Sequence, residues 1–375
     1  MFNRDTIKCI HLITDLKAGG AEMMLYKTVK GLSNEFEPIV VSLMGEGPVS
    51  KLIEKENIKL YHLNLTKNKL SMVSALLKLF KIIKKERPAI IHSYMFHADL
   101  FGRIVGTFLR VPVIISSIRN ENVGGKAREK IMRYTDFAVK KVTAVCYSAA
   151  EAQINKRSIK KEKLEVIYNG VETQLYGNTP KKDILALRKS LGIPGNSIVF
   201  INVGRLERQK HQLLLIEAFA AVAKKNRNIY LVIVGAGELG GILSNRSEEL
   251  NVKNNVIFTG LRNDVQEILQ LANCFVLSSS WEGMPNVVLE AMASRIPVIG
   301  TSVGGTPEII EEGCGLLVPR DDLVAMEGAL NTYLKMPENE IQLMIDKAYD
   351  RIKQVFSIDN TIAETEALYK RLLTK

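Results

Sequence analysis

Short apolar runs that end in small or glycine-rich turns recur along this chain, and they restrict the fold more than any other feature. The first, Ile7–Thr14, reads Ile-Lys-Cys-Ile-His-Leu-Ile-Thr and is apolar at most positions instead of alternating. Strands covered on both faces read in this way, and they belong to parallel sheets flanked by helices. Similar runs stand at Glu37–Leu43, Lys59–Leu63, Ala89–Ser93, Val111–Ser117, Ala144–Ser148 and Lys163–Ile167. A second series follows at Ile198–Val203, Ile229–Val234, Val256–Thr259, Cys274–Leu277 and Pro297–Gly300, with a last short strand inside Gly313–Pro319. Intervening stretches carry helical spacing. In Leu70–Lys85, the residues Val73, Leu76, Leu77, Phe80 and Ile83 predict the buried face, with Lys78, Lys81, Lys84 and Lys85 on the rest. Ser148 is a candidate N-cap for a helix from Ala149, and His92 is expected at a strand end against backbone.

A length of 375 residues predicts two or three domains, and the polar stretch Gly177–Lys181 reads as the linker between the two series. With 46% hydrophobic and 24% charged residues the chain has the composition of a soluble globular protein. Cys9, Cys146, Cys274 and Cys314 lie far apart, match no metal spacing and read as buried thiols of a reducing cytosol. Asp5 and the polar positions of the first strand do not fit a secretory leader, and no run of about 18 apolar residues is present. The net charge of +11 is lopsided. Residues 1–178 hold 29 Lys and Arg against 17 Asp and Glu, while the remainder holds 22 against 23. Such a bias points to an anionic partner for the first half: nucleic acid, an anionic membrane surface or a phosphorylated acceptor.

The richest chemistry lies in Ser278–Val303. A strand ending at Leu277 passes into the loop Trp281–Pro285, then a helix from Asn286 to about Ser294, then a second strand. A strand, a tight loop and a helix start make an anion site, because the first N–H groups of a helix lack backbone partners. Pro285 suits the first helical turn. Glu282 in the loop and Glu290 in the helix can bracket a ligand whose phosphates sit on the helix start.

Glu282-x7-Glu290, followed by Gly304-Gly305-Thr306-Pro307-Glu308, resembles the signature of retaining glycosyltransferases of the GT-B fold, family 4 (glycosyl transferases group 1). The resemblance covers nearly the whole chain and is strongest over Gly204–Pro319. It implies an α/β protein with two Rossmann-like domains facing a cleft. Residues 1–178 would form an acceptor-side domain and 179–355 the donor domain, with a final helix in 356–375 crossing back to the first. By the same resemblance Glu290 binds the ribose hydroxyls and Glu282 the sugar hydroxyls near the reacting carbon. Met284, Pro285 and the N–H groups around Asn286 and Val287 would hold the donor and its phosphate. Gly204, Arg205 and Lys210 match the family pattern G-R-x4-K, and two cations on one loop can neutralise the charge that accumulates on a leaving diphosphate.

The resemblance also places Gly19 and Gly20 where backbone approaches donor or acceptor, His97 near a sugar hydroxyl or the acceptor, and Arg262 against the nucleotide base. At Arg119 many relatives carry a histidine; an arginine there suits phosphate oxygens. Gly235-Ala236-Gly237-Glu238-Leu239-Gly240 fits G-x-G-x-x-G. No ribose-binding acid follows the next strand, so it reads as a turn beside the nucleotide, not a nicotinamide site. With no D-x-D motif, no catalytic metal and no cofactor are expected.

The resulting expectation is metal-independent, retaining transfer of a hexosyl or N-acetylhexosaminyl group from a nucleotide-diphosphate sugar, a UDP-sugar above all. The acceptor is a saccharide or a polyprenyl-linked glycan of cell-surface polysaccharide. The protein is expected in the cytoplasm, peripheral on the anionic inner face of the membrane through Lys126–Lys141 and the lysines of Lys78–Lys85, without nucleic acid. A nucleotide-sugar epimerase of the same fold is the alternative; a basic nucleic-acid-binding protein or an NAD oxidoreductase would be another class.

Overall fold

The computed structural model describes residues 6–176 and 184–374, so the linker expected at Gly177–Lys181 lies outside the described residues. The chain divides into two compact units, Met1–Gly170 with Ile358–Lys375, and Val171–Ser357.

The first unit opens with β1 (Ile7–Ile13), α1 (Gly20–Gly31), β2 (Phe36–Ser42), α2 (Pro48–Lys55) and β3 (Lys59–His62). It continues with α3 (Lys69–Glu86), β4 (Ile90–Tyr94), α4 (Phe96–Phe108), β5 (Val113–Ile118) and α5 (Lys126–Tyr134). Then come β6 (Lys141–Ala144), α6 (Tyr147–Asn155) and β7 (Leu164–Val166). The strands form one sheet in the order β3-β2-β1-β4-β5-β6-β7. Every pairing is parallel, with Ile13 opposite Ser42 on one side and Tyr94 on the other. Chain order reverses between β1 and β4, which opens a crevice at the carboxyl ends of those strands.

The second unit holds α7 (Thr173–Tyr176), α8 (Ile184–Ser190), β8 (Ile198–Val203), α9 (Gln212–Ala223) and β9 (Ile229–Val234). After them run α10 (Gly240–Glu249), β10 (Val256–Gly260), α11 (Val265–Leu269), β11 (Cys274–Leu277) and α12 (Asn286–Ala293). The unit closes with β12 (Val298–Thr301), α13 (Thr306–Ile309), β13 (Leu316–Val318), α14 (Leu323–Lys335) and α15 (Glu338–Val355). Its sheet, also parallel, runs β10-β9-β8-β11-β12-β13, so the crevice falls between β8 and β11. Phe200, Phe219, Leu231, Val276 and Leu330 are among the side chains of its core.

The last helix, α16 (Ile358–Leu373), belongs to the first unit. Leu368, Tyr369 and Leu372 are buried with Cys9, Ile90 and Val113 of the sheet. Its anchor is polar as well: the Tyr369 hydroxyl lies 2.7 Å from His92 Nδ1, and His11 Nδ1 lies 3.1 Å from the Tyr94 hydroxyl. This corrects the expectation for His92, which sits inside β4, fully enclosed, with aromatic hydroxyls instead of backbone as partners. A second buried polar node is Arg103 on α4. Its guanidinium reaches Asp99 Oδ1 and Oδ2, the Met132 carbonyl, Thr135 Oγ1 and Ser116 Oγ at 2.9–3.0 Å. All this ties α4 to β5 and to the end of α5.

Two more expectations change. Ser148 is not an N-cap: α6 starts at Tyr147, Cys146 is the capping position, and the Ser148 hydroxyl donates to Glu121. On α3 the buried face is Ala75, Leu79, Ile83 and Glu86, whereas Val73 and Leu77 are 54% and 59% exposed. The helix carries two apolar stripes, and its contacts with the sheet and α4 select the one centred on Leu79.

Burial drives the imidazole of His11 down to about 3 and that of His92 well below its ordinary value of 6.5. A neutral imidazole that cannot charge in the fold stabilises it fully above 6.5, and this contribution declines as pH falls from there towards the folded value. Each such histidine lowers unfolding free energy by about 1.4 kcal/mol per pH unit in that window. Urea unfolding at pH 7 and pH 5.5 is therefore expected to show a clear loss of stability on acidification, and equal stability at both would contradict neutral buried imidazoles.

Candidate functional site

In the second unit the crevice between β8 and β11 is walled by the loops that leave those strands. Residues 204–211 follow β8, with a single turn at Arg208–Lys210, and Ser278–Pro285 follow β11. Lys210 Nζ lies 2.6 Å from Glu282 Oε1, with both side chains largely buried. Ser279 donates to the same oxygen at 2.6 Å, and Gln209 Nε2 donates to Glu282 Oε2 at 3.3 Å and to the Trp281 carbonyl at 2.9 Å. Backbone contacts complete the clasp: Ser280 N–H donates to the Gln209 carbonyl and Ser278 Oγ to the Lys210 carbonyl.

One more residue closes the loops from outside. His211, in the left-handed region at φ +46°, lies 2.9 Å from Asp321 Oδ1, and the Ser280 hydroxyl donates to that same oxygen at 2.6 Å. These hydrogen bonds, the serine's first, hold the Asp321 carboxyl below its usual range. His211 turns the same nitrogen, Nδ1, to Ser280 at 3.1 Å and to Asp321, and the serine donates to the carboxylate, so the trio is a clasp and not a nucleophile with its base.

Pro285 is the N-cap of α12, one position before the first turn where it was expected, and Asn286 and Val287 open the helix. Met284 is buried beneath them. Glu290 lies one turn further, half-buried, where Tyr176 of α7 bonds with it and with Gln266. Burial, then the Glu290 charge, pushes the Tyr176 phenol well above its ordinary value. Gly304, at φ +52°, packs its backbone onto the Glu282 carbonyl, where a Cβ would collide.

Arg205 is 66% exposed on its side chain and pairs with Glu207 at 3.0 Å, so of the two expected cations Lys210 is in the buried ion pair and Arg205 in an exposed one. Gly235, at φ +138°, lies so close to the Gly204 carbonyl that no Cβ fits between them. Its N–H donates to the Gly260 carbonyl, two residues before Arg262, whose guanidinium pairs with Asp264. Among the described residues no group of three or more His, Cys, Asp or Glu is placed to hold a metal ion.

In the first unit the equivalent crevice holds a cavity of about 270 Å3 lined by Asp15, Glu22, His97, Arg119 and Arg128 among others. Gly19 and Gly20 begin α1 beside it, and a Cβ at Gly19 would strike the Glu22 carboxylate. Burial raises the Glu22 carboxyl, Asp15 adds to the rise, and Arg119 opposes it. Burial, then Arg128, lowers the His97 imidazole. In the first unit His97 and Arg119 thus line one cavity with Gly19 and Gly20 beside it. In the other unit Lys210 meets Glu282 and Gly235 packs on Gly204, while Met284, Pro285, Asn286, Val287 and Glu290 follow along the loop and α12, and Arg205 and Arg262 pair with nearby acids.

Sequence reading missed Asp15, Glu22, Gln209, Ser279 and Tyr176. Glu22 lies two residues after Gly20, and that closeness was the available signal for it.

Comparison with known proteins bears on the fold and the family. The family model described as Glycosyl transferases group 1 matches residues 183–351, and that described as Glycosyltransferase Family 4 matches residues 18–175. A UDP-Gal:alpha-D-GlcNAc-diphosphoundecaprenol alpha-1,3-galactosyltransferase of Escherichia coli is 26% identical over 97% of this chain and 96% of its own length. The uncharacterized glycosyltransferase MJ1059 of Methanocaldococcus jannaschii is 30% identical over 69% of this chain and 67% of its own. Among solved structures, HepE of Anabaena in complex with UDP and glucose has the same fold, with a TM-score of 0.87 at 22% identity over 97% of this chain and 100% of its own. The two parallel-sheet α/β units are those of GT-B enzymes, and the chain belongs to glycosyltransferase family 4, the group 1 glycosyl transferases.

Proposed function

We propose that this glycosyltransferase moves a hexosyl or N-acetylhexosaminyl group from a UDP-sugar to a saccharide or polyprenyl-linked glycan, with retention and without a metal. The observation that carries this reading is the locked pair Lys210–Glu282 at the β8/β11 crevice, beside the start of α12. Glu282 accepts hydroxyls of the donor sugar, and Glu290 accepts those of the ribose. Arg205, Lys210 and the N–H groups at Asn286 and Val287 meet the diphosphate; Arg262 and Gly235 border the base. As the sugar leaves, charge grows on the diphosphate, and fixed positive groups in a partly dry site stabilise it without reorganisation. The names of the E. coli relative and of the HepE complex, with UDP-Gal and UDP, support a uridine donor. The diphosphoundecaprenol acceptor in the former supports a lipid-linked acceptor here. In the first unit the cavity lined by Asp15, Glu22, His97 and Arg119, with Gly19 and Gly20 beside it, joins carboxyl and guanidinium groups that suit an acceptor rich in hydroxyls.

Features of the same unit support a membrane-surface location. On α3, Leu70, Val73 and Leu77 are exposed in one stripe, and Lys81 and Lys84 continue it. The stripe reaches Phe80, whose ring lies 5.9 Å from that of exposed Phe108 on α4. Tyr134 and Phe137 are exposed near the basic α5. Apolar side chains beside lysines suit the interface of an anionic leaflet, here the inner face of the cell membrane. Among the described residues no helix is long and apolar enough to cross a membrane.

Three expectations test this. Lys210→Met is expected to lower turnover about 10²–10³-fold, as losing one preorganised group at a developing charge does; wild-type turnover would refute the leaving-group role. A chelator is expected to leave the wild-type rate unchanged, and loss of activity that Mg²⁺ restores would overturn the metal-free mechanism. Co-sedimentation with anionic vesicles should fall in Leu70→Gln/Leu77→Gln and fade with salt, each basic residue near the leaflet contributing about 1 kcal/mol. Equal binding to neutral vesicles would contradict the electrostatic part.

A further inference from the structure

We infer that Gln209 is the positioning residue that aims the Glu282 carboxylate at the donor sugar, an inference that rests on the sugar-binding role proposed for Glu282. A carboxylate at the rim of a crevice can rotate about its last bond and present either oxygen. Here Oε1 is occupied on two sides, by Lys210 Nζ and the Ser279 hydroxyl, both at 2.6 Å. Oε2 receives one hydrogen bond, the longer one from Gln209 Nε2 at 3.3 Å. Each carboxylate oxygen has room for about two donors, so Oε2 is the oxygen with acceptor capacity left for a ligand hydroxyl.

The Gln209 amide is itself fixed. The same nitrogen donates to the Trp281 carbonyl at 2.9 Å, and the main-chain carbonyl of Gln209 accepts from Ser280 N–H at 2.9 Å, which anchors the residue from which the side chain reaches. A neutral amide performs this task where a cation would not. A second positive group would compete with the sugar hydroxyl for Oε2, whereas an amide N–H leaves its charge unneutralised. The hydrogen bonds of the Gln209 side chain go to Trp281 and Glu282 and to neither Arg205 nor Lys210, so its effect is expected on the sugar and not on the nucleotide.

The experiment compares binding of UDP with that of UDP-glucose, UDP-galactose and their N-acetylamino counterparts by calorimetry, using whichever sugar the wild-type enzyme binds most tightly. Gln209→Met is expected to bind UDP as the wild type does and to weaken the UDP-sugar about tenfold, the scale of one hydrogen bond. Gln209→Glu supplies the sharper readout. Its introduced carboxyl can donate to Glu282 only when protonated, and its nearness to Glu282 raises its pKa. Sugar affinity of this variant is therefore expected to recover as pH is lowered from 8 to 6, while that of the wild type stays level; a merely structural role for Gln209 would give no such recovery. Glu282→Gln runs in parallel. If it binds UDP-sugars as the wild type does, the sugar-binding role of Glu282 fails. If it loses them while Gln209→Met and Gln209→Glu keep wild-type affinity at every pH, the positioning role of Gln209 alone is overturned.

Discussion

The ion pair between Lys210 and Glu282 is the interaction on which the second unit turns. Withdrawing two charges from water costs several kcal/mol per ion, and their attraction offsets this only when the remaining lone pairs and protons also find partners. Ser279 and Gln209 provide those partners for the carboxylate, and both lie within the two loops that the pair joins. The loops after β8 and β11 therefore behave as one object, held at the point where strand order reverses. That point is where a doubly wound sheet opens a crevice, so this costly ion pair coincides with a topological opening for a ligand.

The first unit handles buried charge in two contrasting ways. Asp99 and Arg103 are saturated: the guanidinium has five contacts with carboxylate, carbonyl and hydroxyl oxygens, and the pair serves packing. Glu22 is withdrawn from water too, yet burial outweighs Arg119 and its carboxyl is raised, beside the cavity that Arg119 also lines. A saturated pair braces a fold, whereas an acid whose desolvation is not offset retains the capacity to respond to a ligand. Asp99 lines that cavity as well, so brace and site meet within one layer of side chains.

The fold was legible because parallel strands covered on both faces leave continuous apolar runs. Ile198–Val203, Ile229–Val234 and Cys274–Leu277 are strands at those very residues. The face of α3 was not legible, since spacing alone cannot choose between two apolar stripes; packing against α4 and the sheet does so. His92 failed for a related reason. Its partner Tyr369 lies 277 residues away on α16, and no local pattern announces a contact of that range. In the site, charged residues at strand ends stood out, but Gln209 and Ser279 did not, because an amide and a hydroxyl near a carboxylate carry no signature until the loops are brought together.

The glycine pattern at Gly235–Gly240 has a steric origin that joins these observations. Gly235 approaches the Gly204 carbonyl too closely for a side chain, Leu206 N–H donates to the Ala236 carbonyl, and Leu239 N–H donates to the Leu206 carbonyl. The same lateral stitching continues in both directions. Gly235 N–H reaches the Gly260 carbonyl, Ser280 N–H the Gln209 carbonyl, and Gly305 N–H the Gly283 carbonyl at 2.6 Å. Loops after β10, β9, β8, β11 and β12 thus form one hydrogen-bonded rim along the carboxyl edge of the sheet. Backbone is held against backbone wherever glycine removes the side chain, and the spacing of a dinucleotide fingerprint arises here from loop stacking. A rim built this way is rigid before any ligand arrives, so the orientation of Glu282 is set by the protein in advance, which is the condition under which fixed dipoles stabilise a developing charge most effectively.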